Sequence, residues 1–307
     1  MDGSITAPIP DMALWCQQTL KMPISCVGIG VHSGKRVALT FRPAPVDHGI
    51  AFRRTDVGVD IPARFDRVVD TRLATVIADH ATRISTIEHV MAALVGCGID
   101  NAVVELDGPE PPILDGSAAP FVFLLDCAGV TAQEARRATI EILRPVRVSD
   151  GDAFAELRPA IPGMPGLAMA LSIDFPAAAI GRQALALHLT PESFRAELAS
   201  ARTFALMREI EQLRASGFAL GGSLDNAVVV DEARVMNPAG LRMPDEFVRH
   251  KLLDAVGDLA LSGAAIHGRF VAHRSGHTLN HRLLQALFAN RAAWREVAPA
   301  QLSLAAE

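Results

Sequence analysis

The stretch PDEFVRHKLLDAVGDLALSG, Pro244 to Gly263, carries His250, Asp254 and Asp258 at four-residue intervals. On an α-helix that interval advances a side chain by only about 40° around the axis, so all three project from one side. A neutral imidazole and a carboxylate one turn apart can converge on a single metal ion. Ordinary solvated charges occur at the same spacing, and only a third ligand elsewhere decides between the two readings. One candidate lies in RISTIEHVMAAL, where His89 directly follows Glu88. A ligand histidine beside a catalytic carboxylate recurs in zinc hydrolases. Ser85 and Glu88 also have the S-x-x-E spacing of a capping box, which gives Glu88 a purely structural alternative. His273, His277 and His281 repeat the four-residue interval, but Gly276 interrupts any helix through them, so they do not read as a metal triad.

The elements that must hold these groups follow from periodicity. Val248, Leu252, Ala255, Val256 and Leu259 form an apolar stripe roughly opposite His250, so the helix has a core face and a polar face. A helix starting after Ser85 should stop near Gly96 to Gly98, followed by a strand from Ala102 to Leu106. A second helix, N-capped by Ser117 and ending at Gly129, carries the core-like run Phe121 to Leu125. Farther on, the apolar spacing of Leu206, Met207, Ile210 and Leu213 predicts a helix from Phe204 to Arg214 with Thr203 as its N-cap, then a strand from Ala227 to Val230. The segment CVGIGVHSGKRVALTFRPAP reads as strand, glycine turn, strand, with Val37, Leu39 and Phe41 alternating at period two. Its glycines fit neither a phosphate loop nor a dinucleotide fingerprint, because the required Ser or Thr after the lysine and the third glycine are both missing. Strand periodicity restarts in ATIEILRPVRVSDGDAFAEL around a turn at Asp150 to Asp152, and the polar stretch TAQEARRA just before it marks a candidate domain boundary.

Composition narrows the class. Half of the 307 residues are apolar and the net charge is −5, which supports a large globular core and gives no basic field for nucleic acid. Cys16, Cys26, Cys97 and Cys127 have no CxxC spacing and read as reduced cytoplasmic thiols. The start of the chain, acidic and proline-bearing, reads as a loose leader over residues 1–19, and no window has the run of roughly 18 apolar residues that a membrane span needs.

Five segments, RISTIEHVMAAL, SARTFALMREIE, DEFVRHKLLDAVGDL, SGHTLNHRLLQAL and DNAVVELDGPEPPILDGSAAPF, together resemble the family of UDP-3-O-acyl-N-acetylglucosamine deacetylases of lipid A biosynthesis. The resemblance runs from about Leu20 to about Trp294. It implies an α+β fold of two similar α/β sandwich domains, residues 20–135 and 136–300, each a mainly antiparallel sheet with paired helices, the helices packed between the sheets. It also implies a βαβ insert near residues 203–230 that forms an apolar passage for an acyl chain.

What the resemblance implies for chemistry is a Zn2+ held by His89, His250 and Asp254, with the fourth position left for water. Glu88 would be the general base. Thr203 would help hold the oxyanion, and a protonated His277, oriented by Asp258, would stabilise that charge and donate to the leaving amine. Lys251, Phe204, Gly221, Gly222 and Ser223 would contact the UDP-linked acylated amino sugar. A monomer is expected. Three positions depart from the family pattern: Ala74 stands where many relatives carry cysteine, and Leu206 and Glu209 where others have Phe and Asp. Two alternatives remain at this point, a zinc amidohydrolase for another N-acyl substrate and a non-catalytic protein whose metal merely staples two domains.

Overall fold

The computed structural model describes residues 16 to 297 and has an α+β, two-domain architecture. In the first domain five strands lie in the order Ile24–Ile29, Arg36–Pro43, Ala102–Leu106, Ile50–Arg54, Val59–Pro62. All pairings are antiparallel except Ile50–Arg54 with Ala102–Leu106. Val37, Leu39 and Phe41 alternate into the core, as period two requires. Helices α1 (Glu88–Gly96) and α2 (Ala119–Ala128) pack on one another, and α2 also meets the Ile24–Ile29 strand.

Residues 1–15 of the expected leader lie outside the described residues, but Cys16–Leu20 is a strand, paired antiparallel with Val130–Arg136. The leader reading therefore extends too far, and the polar stretch taken as a boundary is largely a strand. Both escape periodicity because side-chain amides supply much of the local cohesion: Asn101 Nδ2 donates to Gln17 Oε1 at 2.8 Å and to Gln133 Oε1 at 2.7 Å. Among the described residues, no ladder joins strands up to Arg136 with strands from Thr139 onward.

The second sheet has seven strands, built around the long strand Ala265–His273, which pairs with Thr139–Ile142, Ala153–Arg158 and Leu167–Asp174. Helix α4 (Glu246–Ala260) lies against Leu167–Asp174 and Arg182–Leu189, and α5 (His277–Ala289) against Val146–Asp150 and Ala153–Arg158. Across the molecule, α4 packs along α1, so helices from both domains form the middle layers.

Between Ala201 and Val235 the expected helix from Phe204 is shorter at its start. Phe204–Leu206 is a strand paired parallel with Val228–Asp231, and helix α3 runs from Met207 to Ala215 with Leu206, not Thr203, at its N-cap. The parallel ladder takes the three residues that propensity assigns to the helix. Two further cap readings change. The N-cap of α1 is Ile87, and the Ser85 amide donates to the Pro109 carbonyl, so Ser85 and Glu88 form no capping box. Helix α2 begins at Ala119, two residues after Ser117, whose Oγ still accepts from the Ala119 amide at 3.2 Å. In its apolar run Phe121, Val122 and Leu125 are buried, whereas Phe123 is 66% exposed.

Candidate active site

Helix α4 buries both of its faces. The apolar stripe enters the core as expected, but His250, Asp254 and Asp258 are buried as well, each no more than 4% exposed. The cause is α1, which covers the polar face. The two helices approach closely at Gly257, where a Cβ would fall 2.0 Å from the Glu88 carbonyl oxygen. A side chain there would force the helices apart, so glycine sets their spacing. This crossing turns the Glu88–His89 pair toward the His250–Asp254 pair.

His89, His250 and Asp254 each present one ligand atom within 4.8 Å of the others. The two imidazoles stand edge-to-face, centroids 4.9 Å apart. His250 Nδ1–H donates to the Ala201 carbonyl at 3.0 Å, which leaves Nε2 as the lone-pair nitrogen, 3.2 Å from Asp254 Oδ1. His89 Nε2 lies 3.6 Å from the same oxygen. Burial, only partly opposed by the Asp254 charge, pushes the His250 pKa down to about 4, so its ring is neutral at ordinary pH. Asp254 is also buried, which alone would raise its pKa, but His250 and Lys251 overcome this and hold it well below the usual carboxylate range. Its Oδ2 accepts from Lys251 Nζ at 3.2 Å, while the buried Oδ1 has no hydrogen-bond partner among the described residues. A buried anionic oxygen without a partner is costly. Two imidazoles and that oxygen fit a divalent cation of the zinc type, which would supply the missing partner.

Beside this triad lies a second buried set. Glu88 Oε2 accepts from the Thr75 amide at 3.0 Å, and Glu88 Oε1 is 3.9 Å from His277 Nε2. Burial, with smaller contributions from Asp254 and Asp258, outweighs the opposing pull of His277 and His89 and raises the Glu88 pKa above the usual carboxylate value, the direction that suits a general base. His277, the first residue of α5, donates from Nδ1 to Asp258 Oδ2 at 2.9 Å. Burial alone would favour its neutral form, but Asp258 and Glu88 outweigh it and lift the pKa to about 9. Asp258 also accepts from Thr75 Oγ1 at 2.6 Å and from Asn280 Nδ2 at 2.9 Å, so it stays charged despite full burial.

The remaining predicted residues form two groups. Thr203 is partly exposed, and its amide donates to the Gly116 carbonyl at 2.8 Å. Its hydroxyl makes no hydrogen bond among the described residues. Phe204 stacks edge-on with Phe247 at 5.0 Å and lies 6.3 Å from the His250 ring. Lys251 reaches Asp254, as above. Gly221, Gly222 and Ser223 lie farther along the insert: the Gly221 amide donates to the Val31 carbonyl at 3.0 Å, and the Ser223 amide to Asn226 Oδ1 at 2.8 Å. Ala74, at the position of a frequent cysteine, is buried next to Thr75. Sequence reasoning missed Thr75, Asn280, Gly257 and the Ala201 carbonyl. The first follows Ala74 in DTRLAT and the second follows SGHTL, so proximity to the motifs was their only signal.

Two helices from different domains, crossing at a glycine and burying a His2Asp triad beside a carboxylate and a further histidine, fit a metal-dependent hydrolase. The sequence comparisons are more specific. Residues 17–289 match the model of the UDP-3-O-acyl N-acetylglycosamine deacetylase family, and the chain belongs to that family. It is 49% identical over 286 residues to the UDP-3-O-acyl-N-acetylglucosamine deacetylase of Anaeromyxobacter sp. (strain Fw109-5), covering 93% of each chain. It is 50% identical over 286 residues to the enzyme of the same name from Shewanella halifaxensis (strain HAW-EB4), covering 92% of each chain, and 50% identical to that of Shewanella oneidensis, again covering 92% of each.

Proposed function

We propose that the protein hydrolyses the acetamide of UDP-3-O-acyl-N-acetylglucosamine, releasing acetate, in the lipid A branch of lipopolysaccharide synthesis. The observation that carries this reading is Asp254 Oδ1, without a hydrogen-bond partner among the described residues, facing His89 Nε2 and His250 Nε2, with Glu88 and His277 alongside. His89, His250 and Asp254 would hold Zn2+, which when bound acidifies water and polarises a carbonyl. Glu88 takes the proton of the attacking water, a role its raised pKa supports. His277, charged up to about pH 9, faces the developing negative charge and hands its Nε2 proton to the leaving amine. Asp258 fixes the His277 ring through Nδ1. The Thr203 hydroxyl, free of other partners among the described residues, adds a hydrogen bond to the same charge. Lys251, Phe204 and Gly221 to Ser223 contact the substrate, and the insert accommodates the acyl chain. The four free thiols accord with a reducing, cytoplasmic setting, and no described helix is long and apolar enough to cross a membrane. The test is acetate release from the UDP-linked acyl sugar by the metal-loaded protein, its loss on chelation, and its return with added zinc. Absence of turnover in the loaded protein would refute the reading. Equal turnover of a substrate lacking the acyl chain would favour a general N-acyl amidohydrolase instead.

A further inference from the structure

Residues 201–203 supply two groups to the site, the Ala201 carbonyl that receives His250 Nδ1–H and the Thr203 hydroxyl, yet they lie in no helix or strand. Irregular backbone gains fixed geometry only from its partners, and here the partners are unusual. Glu246, the first residue of α4 and fully buried, accepts from the Arg202 amide at 3.0 Å, from Arg202 Nε at 2.8 Å and from Arg202 Nη2 at 3.1 Å. Its Oε2 also accepts from the Arg242 amide at 2.7 Å. Arg242 in turn reaches into the first domain: Nη2 donates to Asp115 Oδ2 at 2.8 Å and Nη1 to Ser117 Oγ at 3.3 Å, while Nη1 also holds the Ser200 carbonyl at 2.9 Å. The turn that carries Asp115 closes the bracket, because the Gly116 carbonyl receives the Thr203 amide at 2.8 Å. Gly116 has φ +85°, and a Cβ there would fall 2.0 Å from the Asn226 carbonyl oxygen. Only glycine allows that approach.

We infer that Glu246 is a positioning residue for the deacetylation: with Arg202 and the Asp115-Gly116 turn of the first domain, it fixes the Ala201 carbonyl behind His250 and the backbone of Thr203. Glu246 touches neither metal nor substrate, so it acts through the segment it grips. The buried ion pair is thereby explained by geometry and not by stability, since an apolar pair of similar volume would hold the core together at least as well. The Asp115-Gly116 turn thereby becomes the first domain's contribution to the second domain's half of the site. This inference rests on the deacetylase reading above.

The test compares wild type, Glu246→Gln, the double variant Arg202→Met/Glu246→Leu, and Asp115→Asn, each loaded with Zn2+ for kinetics and with Co2+ for affinity and visible spectrum. Glu246→Gln should lower kcat and weaken Co2+ binding at least tenfold with KM within twofold, the size of effect seen when a residue behind a metal ligand is lost. In the double variant the melting temperature should return toward wild type while kcat, Co2+ affinity and the altered Co2+ spectrum do not recover. Asp115→Asn removes the charge from a partly exposed pair while keeping an acceptor for Ser117, and should lower kcat two- to fivefold at unchanged KM. Wild-type kcat and Co2+ affinity in the double variant would overturn the inference, reducing the pair to a structural bridge; unchanged kcat in Asp115→Asn would remove the first domain from the bracket. An inactive wild type would sink the deacetylase reading, whereas the Co2+ affinities and spectra would still decide the role of Glu246.

Discussion

Helix α4 and helix α3 come from the same domain and have opposite surroundings. In α4, twelve of fifteen residues are buried, including every charged or ligating side chain except Arg249 and Lys251. In α3 none of nine residues is buried, and the chain around it leaves Met207, Phe218, Leu220 and Leu224 between 39% and 54% exposed. Chemistry is placed where packing over-determines position, because a displacement of about 1 Å can lower a rate a hundredfold. The apolar surface proposed to receive the acyl chain lies where little else depends on it. If this division holds, substitutions in the α1/α4 crossing should change kcat and stability, and substitutions around α3 should change only the response to the acyl chain.

The largest effect is expected from Glu88→Ala, which removes the proposed base from the crossing. Acetate release should fall by about 10² to 10⁴-fold, the usual contribution of a positioned base. Because Glu88 is not one of the three proposed ligands and its one side-chain hydrogen bond among the described residues is to the Thr75 amide, Zn2+ content and the far-ultraviolet spectrum should match wild type. Activity within tenfold of wild type would show that another group takes the water proton.

Gly257→Ala tests whether the crossing itself matters, without touching any ionisable group. The added methyl must displace the Glu88 backbone, so kcat should fall by roughly a hundredfold and the melting temperature should drop with it. A variant with full activity would mean that α1 can move away without disturbing Glu88 and His89.

The charge state of the crossing gives a pH test. His277 titrates near 9 in the folded protein against about 6.5 unfolded, so its contribution is fully present below pH 6.5 and is lost as pH rises through 9. In metal-free protein, the difference in unfolding free energy between wild type and His277→Gln should shrink by on the order of 3 kcal/mol between pH 6 and pH 10. A difference independent of pH would show that folding does not raise the His277 pKa. On the activity side, protonated His277 is the acid, so kcat should decline on the alkaline limb.

How much of this was legible beforehand differs between the same two regions. The order of His250, Asp254 and Asp258 and the apolar stripe behind them follow from a period of 3.6, and α4 forms as its residues direct. Nothing local says that the polar face is buried, because that depends on α1 arriving from a segment 160 residues away and on a glycine that looks like any other in a helix. The capping-box reading of Ser85 and Glu88 fails for the same reason: the Glu88 carboxylate finds a tertiary partner in the Thr75 amide. Around α3, local propensity misplaces the boundary at Phe204, since a parallel ladder to Val228 overrides a helical spacing. The first strand, Cys16–Leu20, is invisible because glutamines and a threonine fill its middle.

The smallest effect, and the one that best separates the regions, is expected from Leu220→Ser. Leu220 is 54% exposed on the loop that follows α3, and its amide donates to the His32 carbonyl at 3.2 Å, so the backbone is anchored to the first domain while the side chain faces outward. Losing that side chain removes apolar surface without opening a cavity, and the melting temperature should stay within a degree or two. If the loop contacts the acyl chain, kcat/KM for the full-length substrate should fall roughly three- to tenfold, mainly through KM. With a substrate whose acyl chain is cut short, the same variant should equal wild type, because the contact that was removed no longer exists in either protein. An equal loss on both substrates would place the effect of Leu220 on the site itself, and the separation between a rigid chemical centre and an adaptable apolar insert would not hold.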